Sequence, residues 1–221
     1  LTTAFRTIVN EAVADGILTF NPFWGYEPER PQWKQKYLTA EELELIMTTP
    51  LHNARLYIIR DLFLFSCYTG ISYGDMCLLT KDDLVTDENG TLWIRTSRKK
   101  TKVEYEVPLL EVPLHILSKY RDVEPNGKLL PMYCNSDVNK YLKTIATKCG
   151  INRRIVFHAA RHTYATEITL SHGVPLETVS KMLGHTRVDT TQIYAKVTDD
   201  KINADTKRLE NKISERFTIA I

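Results

Sequence analysis

The sequence predicts a mainly α-helical domain that carries one small three-stranded antiparallel β-sheet. Three observations lead there. The run Ala54–Tyr68 (ARLYIIRDLFLFSCY) is apolar nearly all round, as a central buried helix is. Asn89-Gly90, followed by the period-two alternation Val103-Glu104-Tyr105-Glu106-Val107, marks two consecutive hairpins. From Phe157 to Val197, stop and start residues punctuate three short helices.

Residues 1–20 place Phe5, Ile8, Val9, Ala12 and Val13 at helical spacing, closed by Asp15-Gly16. Asn21-Pro22-Phe23 then opens a polar, aromatic linker through Lys36. Residues 1–35 therefore read as the remnant of a preceding helical domain plus linker, and residues 36–221 as one domain with its own core. Leu1 falls inside a helical pattern without a Met, so the natural N-terminus is expected upstream. Thr39-Ala40-Glu41-Glu42 is a capping box and starts a helix to about Met47. Gly70 ends the buried helix.

Asp83–Thr86 and Thr91–Thr96 flank Asn89-Gly90, a pair compatible with a type I′ turn. Arg98-Lys99-Lys100-Thr101 leads from the second strand into the third. Helices are expected over Pro113–Val123 and from a Ser136 cap to Gly150. Gly173 closes the next one, Pro175 opens and Gly184 closes another, and Asp189 caps the helix of Tyr194. Thr198-Asp199-Asp200 begins an amphipathic helix with Ile202, Leu209 and Ile213 on one stripe. The apolar run Phe217–Ile221 suits packing either on its own domain or on a neighbouring protomer.

With 221 residues, 43% of them hydrophobic, the chain can bury one sizeable core. Cys67, Cys77, Cys134 and Cys149 form no CxxC pair, which excludes a disulfide scaffold and points to reduced thiols. The sequence holds no apolar run long enough for a membrane helix and no signal-peptide pattern. The net charge of +2 says little, but its distribution is segregated. Arg95, Arg98, Lys99, Lys100 and Lys102 have no acid among them. Lys140, Lys143, Lys148, Arg153, Arg154 and Arg161 face Asp137 alone. The acids gather at Glu41, Glu42 and Glu44, at Asp82-Asp83 and at Asp199-Asp200. This separation suits a basic face for a polyanion, with Arg95, Lys99, Lys102, Lys140, Lys143, Arg153 and Arg154 as its expected contacts.

Chemistry concentrates in His158-Ala159-Ala160-Arg161, then Leu183-Gly184-His185, then Tyr194. The i,i+3 spacing sets His158 and Arg161 on one helical face. Arg presents a planar fork to phosphodiester oxygens, imidazoles move protons near neutral pH, and Tyr is a nucleophile that needs assistance. His158 and His162 have a zinc-compatible i,i+4 spacing, but the Glu of HExxH is missing and Arg161 intervenes, so no metal is expected.

This order of motifs, at this spacing, resembles the tyrosine recombinase (phage integrase) family. The resemblance covers nearly all of residues 36–221 and implies the DNA breaking-rejoining fold. It also implies site-specific strand cleavage and rejoining through a 3′-phosphotyrosyl link to Tyr194. Arg161 and His185 would neutralise the non-bridging oxygens. Lys100, in the β2–β3 hairpin, would protonate the departing 5′-oxygen, and His158 would accept the Tyr194 proton. Neither metal nor other cofactor is required.

The family usually has an Arg where this chain has Ser72, a departure similar to integrases from mobile elements of Bacteroides-like gut anaerobes. Asp75 falls where the family keeps an acid that supports the site. Strand alternation puts Arg98 on the same side as Lys100, with Arg95 and Lys99 opposite, so Arg98 is expected to replace the missing arginine. The implied partners are double-stranded DNA, a homotetramer on DNA and an accessory DNA-bending protein, in the nucleoid of a bacterial cytoplasm. A type IB topoisomerase, or a non-catalytic DNA-binding relative, is the alternative.

Overall fold

The structure, a computed structural model, describes residues 2–26, 37–121, 127–194, 205–207, 209–211 and 213. It divides into two compact units, residues 1–35 and 36–221. In the first, α1 (Thr2–Ala14) stops before Gly16, whose φ is 71°. The Asn21 amide fixes the turn that follows. It accepts the Phe23 N–H at 2.8 Å and donates to Asn10 at 2.6 Å. Phe5 meets Phe23 edge to face at 5.6 Å.

The larger unit is built around α3 (Ala54–Thr69), whose all-round apolar surface buries Leu56, Ile59, Leu62, Phe63, Leu64 and Phe65. It starts on Asn53, whose side chain accepts the Arg55 N–H, and ends on left-handed Gly70. Before it, α2 (Ala40–Thr48) begins with the expected capping box: Glu42 N–H to Thr39 at 3.2 Å, and Thr39 N–H to Glu42 at 3.1 Å. After it comes the single turn α4 (Tyr73–Met76). Helices α5 (Glu111–Tyr120), α6 (Asn135–Lys148) and α7 (His158–Thr163) all pack on α3. Then come α8 (Leu176–Met182) and the single turn α9 (Asp189–Gln192).

The sheet is a meander, β1 (Leu84–Thr86), β2 (Leu92–Ser97) and β3 (Glu104–Pro108), antiparallel throughout. Ile94 pairs with Val107, and both are fully buried. The first turn is not type I′, because Gly90 has positive φ (80°) while Asn89 does not. Asp87 organises it by accepting the Asn89 and Thr91 N–H groups, each at 2.9 Å. In the second turn Lys102 donates to the Arg98 carbonyl at 2.8 Å and adopts φ 58°.

Two helix starts and one helix interior differ from expectation. Cys134, not Ser136, stands at the N-cap of α6, and Val188, not Asp189, at that of α9. Asp189 instead pairs with Arg187 at 2.7 Å. The segment Gly173 closes is not a uniform α-helix. After α7 it widens into a π-helix over Tyr164–Thr169 and tightens to 3-10 over Leu170–His172. Thr169 Oγ1 donates to the Tyr164 and Ala165 carbonyls at 3.0 and 2.8 Å within it. Residues 198–202 and the run 217–221 lie outside the described residues, while Leu209 and Ile213 are exposed on helical backbone. No helix among the described residues is long and apolar enough to cross a membrane.

Candidate active site

Arg161 is the centre of the site. It projects from α7, is 2% exposed, and ties two loops together. Nη1 donates to the Gly70 carbonyl at 2.8 Å, where α3 ends. Nη2 donates to the Leu183 carbonyl at 2.5 Å, where α8 ends, and meets His185 Nε2 at 3.0 Å. These carbonyls are available because each belongs to a helix terminus. Left-handed Gly184 (φ 62°) then turns the chain so that His185 faces Arg161.

Arg161 is an obligate donor, so His185 Nε2 must accept and the ring proton must sit on Nδ1. From there it donates to Thr191 Oγ1 at 2.8 Å. Thr191 is fully buried on α9 and also accepts the Tyr194 N–H through its carbonyl at 2.9 Å. Tyr194 itself is 7% exposed. Its ring lies parallel to His185 at 6.5 Å and edge-on to His162 at 5.1 Å.

A second cluster adjoins the first. Ser72 caps α4 and donates to Asp75 Oδ2 at 2.7 Å. Asp75, 3% exposed, also accepts the Lys99 N–H through Oδ1 at 2.9 Å and forms an ion pair with Arg98 Nη1 at 3.1 Å. One carboxylate thus fastens the β2–β3 hairpin to α4. Gly184 sets this cluster directly against the first, since a Cβ there would come within 2.9 Å of both Arg98 Cγ and Tyr105 Cδ1.

The charges act accordingly. Burial lowers the Arg161 pKa to about 10, with Arg98 the next cause. Burial, then Arg161 and Arg98, lower His185 to about 4. Burial raises the Tyr194 pKa, while Arg161 and Arg98 oppose that rise. The charges of two guanidiniums therefore act on the tyrosine hydroxyl, and one carboxylate, Asp75, lies 3.1 Å from Arg98.

A pH dependence follows. His185 has a folded pKa below its ordinary 6.5, so below that pH the unfolded chain takes up a proton that the folded chain refuses. Stability should fall as pH drops from about 6.5 to about 4, and His185→Gln should flatten that slope in thermal melts.

The site thus joins six of the predicted residues: Tyr194, Arg161, His185, Arg98, Asp75 and Ser72. His158 is exposed and packs edge-on against the His162 ring at 4.7 Å; His162 touches Tyr194 in its place. Lys100 is exposed at the hairpin tip, and strand alternation does not extend to it because β2 ends at Ser97. Lys99 points toward α4, with Cδ 3.8 Å from where a Gly74 Cβ would stand. Among the expected DNA contacts, Lys102, Lys140, Lys143 and Arg154 are exposed. Arg95 pairs with Glu106 at 3.0 Å on the open face of the sheet.

Arg153 is committed elsewhere. It bonds both oxygens of Glu42, at 2.8 and 2.5 Å, and the Tyr37 carbonyl at 2.6 Å. The site residues that the sequence did not single out are His162, Thr191 and Tyr105. Thr191 had a faint signal, lying three residues before Tyr194.

A helical domain with a hairpin-bearing sheet, gathering Arg, His and Tyr into one buried cluster, defines the class of tyrosine recombinase catalytic domains. The fold is shared with a crystal structure of XerA recombinase (TM-score 0.61, 24% identity, covering 88% of this chain and 68% of that one). It is shared equally with a lambda integrase dimer bound to a COC′ core site (TM-score 0.68, 18% identity, 89% and 75% covered). In sequence, the chain is 29% identical to tyrosine recombinase XerD of Listeria monocytogenes over 88% of its length and 69% of the relative's. It is 31% identical to tyrosine recombinase XerA of Pyrococcus furiosus over 84% and 67%. The profile of the Phage integrase family matches residues 36–201. The chain belongs to that family and is a site-specific recombinase, an enzyme that breaks and rejoins DNA.

Proposed function

We propose that the chain is the catalytic part of an integrase of a mobile genetic element, acting through a 3′-phosphotyrosyl intermediate on Tyr194. The observation that carries the reading is the convergence of Arg161, His185 and Arg98 on the buried Tyr194 ring. A phosphodiester entering there brings a second anion to two guanidiniums that otherwise have the single carboxylate of Asp75. Arg161, already fixed by two carbonyls, neutralises a non-bridging oxygen without reorganising. His185, held as the Nδ1–H tautomer by Thr191, lies beside it.

Tyr194 attacks phosphorus, the 5′-oxygen leaves, and the phosphodiester energy is kept in the protein–DNA bond. Lys100 supplies the proton to the leaving oxygen from the hairpin tip, and the His158–His162 pair receives the tyrosine proton. Four such chains assemble on two duplexes, aided by a DNA-bending protein, in the bacterial nucleoid. The exposed Lys102, Lys140, Lys143 and Arg154, with Arg95 and Lys99, hold the backbone.

In this reading the chain is akin to integrases of Bacteroides-like mobile elements, with Ser72 where the first arginine would stand and Arg98 taking that arginine's role. Support comes from position: Arg98 is 17% exposed and its charge reaches Arg161, His185 and Tyr194. The test is single-turnover cleavage of a nicked suicide duplex bearing the end of the element that encodes the chain. Losing one preorganised donor costs about 3–4 kcal/mol in such sites, so Arg98→Ala should slow cleavage by at least about 100-fold. Arg95→Ala, which breaks only an exposed ion pair, should stay within about threefold. A fast Arg98→Ala enzyme would remove Arg98 from the site.

A further inference from the structure

Tyr105 has no part in the chemistry above, yet it is placed where the chemistry is. It comes from the middle of β3, opposite Thr96, and is 5% exposed. Its ring lies against Gly184 beside the Arg98 side chain. Its hydroxyl is enclosed within reach of the Asp75 carboxylate yet makes no hydrogen bond of good geometry, which is rare for a buried phenol. The second enclosed atom without a hydrogen bond is Arg98 Nη1, which approaches Asp75 at ion-pair distance but out of line. Asp75 joins the two. Its carboxylate adds to the burial that raises the Tyr105 pKa, and it lies 3.1 Å from Arg98.

These two poorly satisfied groups on either side of one carboxylate describe an exchange. When Arg98 turns its guanidinium to the scissile phosphate, Asp75 loses a cationic partner while remaining buried. A buried carboxylate stripped of a partner is strongly unfavourable, and it would pull Arg98 back. Ser72 and the Lys99 N–H remain on Asp75 but were already bonded to it, so neither adds a donor. The Tyr105 hydroxyl lies within reach of Asp75 and is a donor whose hydrogen bond is not yet well formed.

We propose that Tyr105 is a positioning residue whose buried hydroxyl takes over Asp75 as Arg98 leaves it for the phosphate. The phenol keeps its proton throughout and no bond other than hydrogen bonds changes. Tyr105 thereby sets the fraction of enzyme–DNA complexes in which Arg98 is delivered. This rests on the assignment of Arg98 to the phosphate.

The experiment compares Tyr105→Phe, Arg98→Ala and the double variant, in the full chain with the same suicide duplex. Each is measured for DNA affinity, single-turnover cleavage and thermal midpoint. Tyr105→Phe removes a hydroxyl that makes no well-formed hydrogen bond at rest, so its midpoint should be nearly unchanged or higher and its affinity unchanged. Its cleavage should fall about 10- to 100-fold, the range of a hydrogen bond to a charged group. The double variant should be no slower than Arg98→Ala, because the hydroxyl acts only through Arg98.

Wild-type cleavage in Tyr105→Phe, or a multiplied defect in the double variant, overturns the role of Tyr105 and leaves that of Arg98 standing. A lowered midpoint in step with lost cleavage also overturns it, since the hydroxyl would then be structural. Wild-type cleavage in Arg98→Ala overturns the assignment of Arg98, and this exchange with it.

Discussion

Tyr194→Phe is expected to abolish the covalent protein–DNA adduct while leaving folding and DNA affinity intact. The substitution removes one oxygen and keeps the ring, and the ring makes the packing contacts, edge-on to His162 at 5.1 Å and parallel to His185 at 6.5 Å. Losing the phenol oxygen removes only its electrostatic interaction with Arg161, which keeps both backbone carbonyls. Tyr164, from the same segment, is poorly placed to substitute. Tyr164 is 3% exposed, its hydroxyl donates to Met182 Sδ at 3.4 Å, and its ring lies where a Gly70 Cβ would stand. Denaturing gels of the suicide-substrate reaction, beside gel-shift affinities, provide the check. An adduct surviving in Tyr194→Phe would mean that another residue attacks the DNA.

Arg161→Ala should damage stability and catalysis together. Its guanidinium is enclosed and supplies the donors to the Gly70 and Leu183 carbonyls, so removal leaves both unsatisfied beside a cavity. Each orphaned buried acceptor costs about 1–3 kcal/mol, which for a domain of this size lowers the thermal midpoint by roughly 4–24 °C in all. Cleavage should fall further than stability alone explains, by the further 3–4 kcal/mol or so of a lost transition-state donor. Arg161→Lys should recover part of the midpoint and little of the cleavage, since an ammonium cannot span both carbonyls and the phosphate as a fork does. A folded, fully active Arg161→Ala enzyme would refute the site as drawn.

Local chemistry made much of this legible in the sequence. The Thr39 capping box, the apolar face-free pattern of Ala54–Tyr68 and the period-two run at Val103–Val107 each state their structure within a few residues. Gly173 and Gly184 mark helix ends because their left-handed φ excludes other residues at little cost to them. What escaped was set by partners distant in the chain. Nothing near Arg153 announces Glu42, 111 positions away, and so a clamp on α2 read as a DNA contact.

The parity argument for Arg98 assumed a strand where the chain had already begun to turn at Ser97. His158 and His162 are equivalent by type, and the π-helical widening that starts at Tyr164 follows no composition rule. Thr191 is a conventional helical residue until His185 is known to face it.

The cap that Ser72 places on α4 bears on how such a site can change over generations. An arginine arriving at position 72 would forfeit the cap and the bond to Asp75. It would also bring a third guanidinium to a space where Arg98 and Arg161 already share one carboxylate. An arginine lost from position 98 would leave the Asp75 carboxylate short of its ion-pair partner. Each step is unfavourable alone and favourable only after the other. The two positions are therefore expected to be coupled, and an Arg98→Ala, Ser72→Arg double variant should differ from the sum of the single changes.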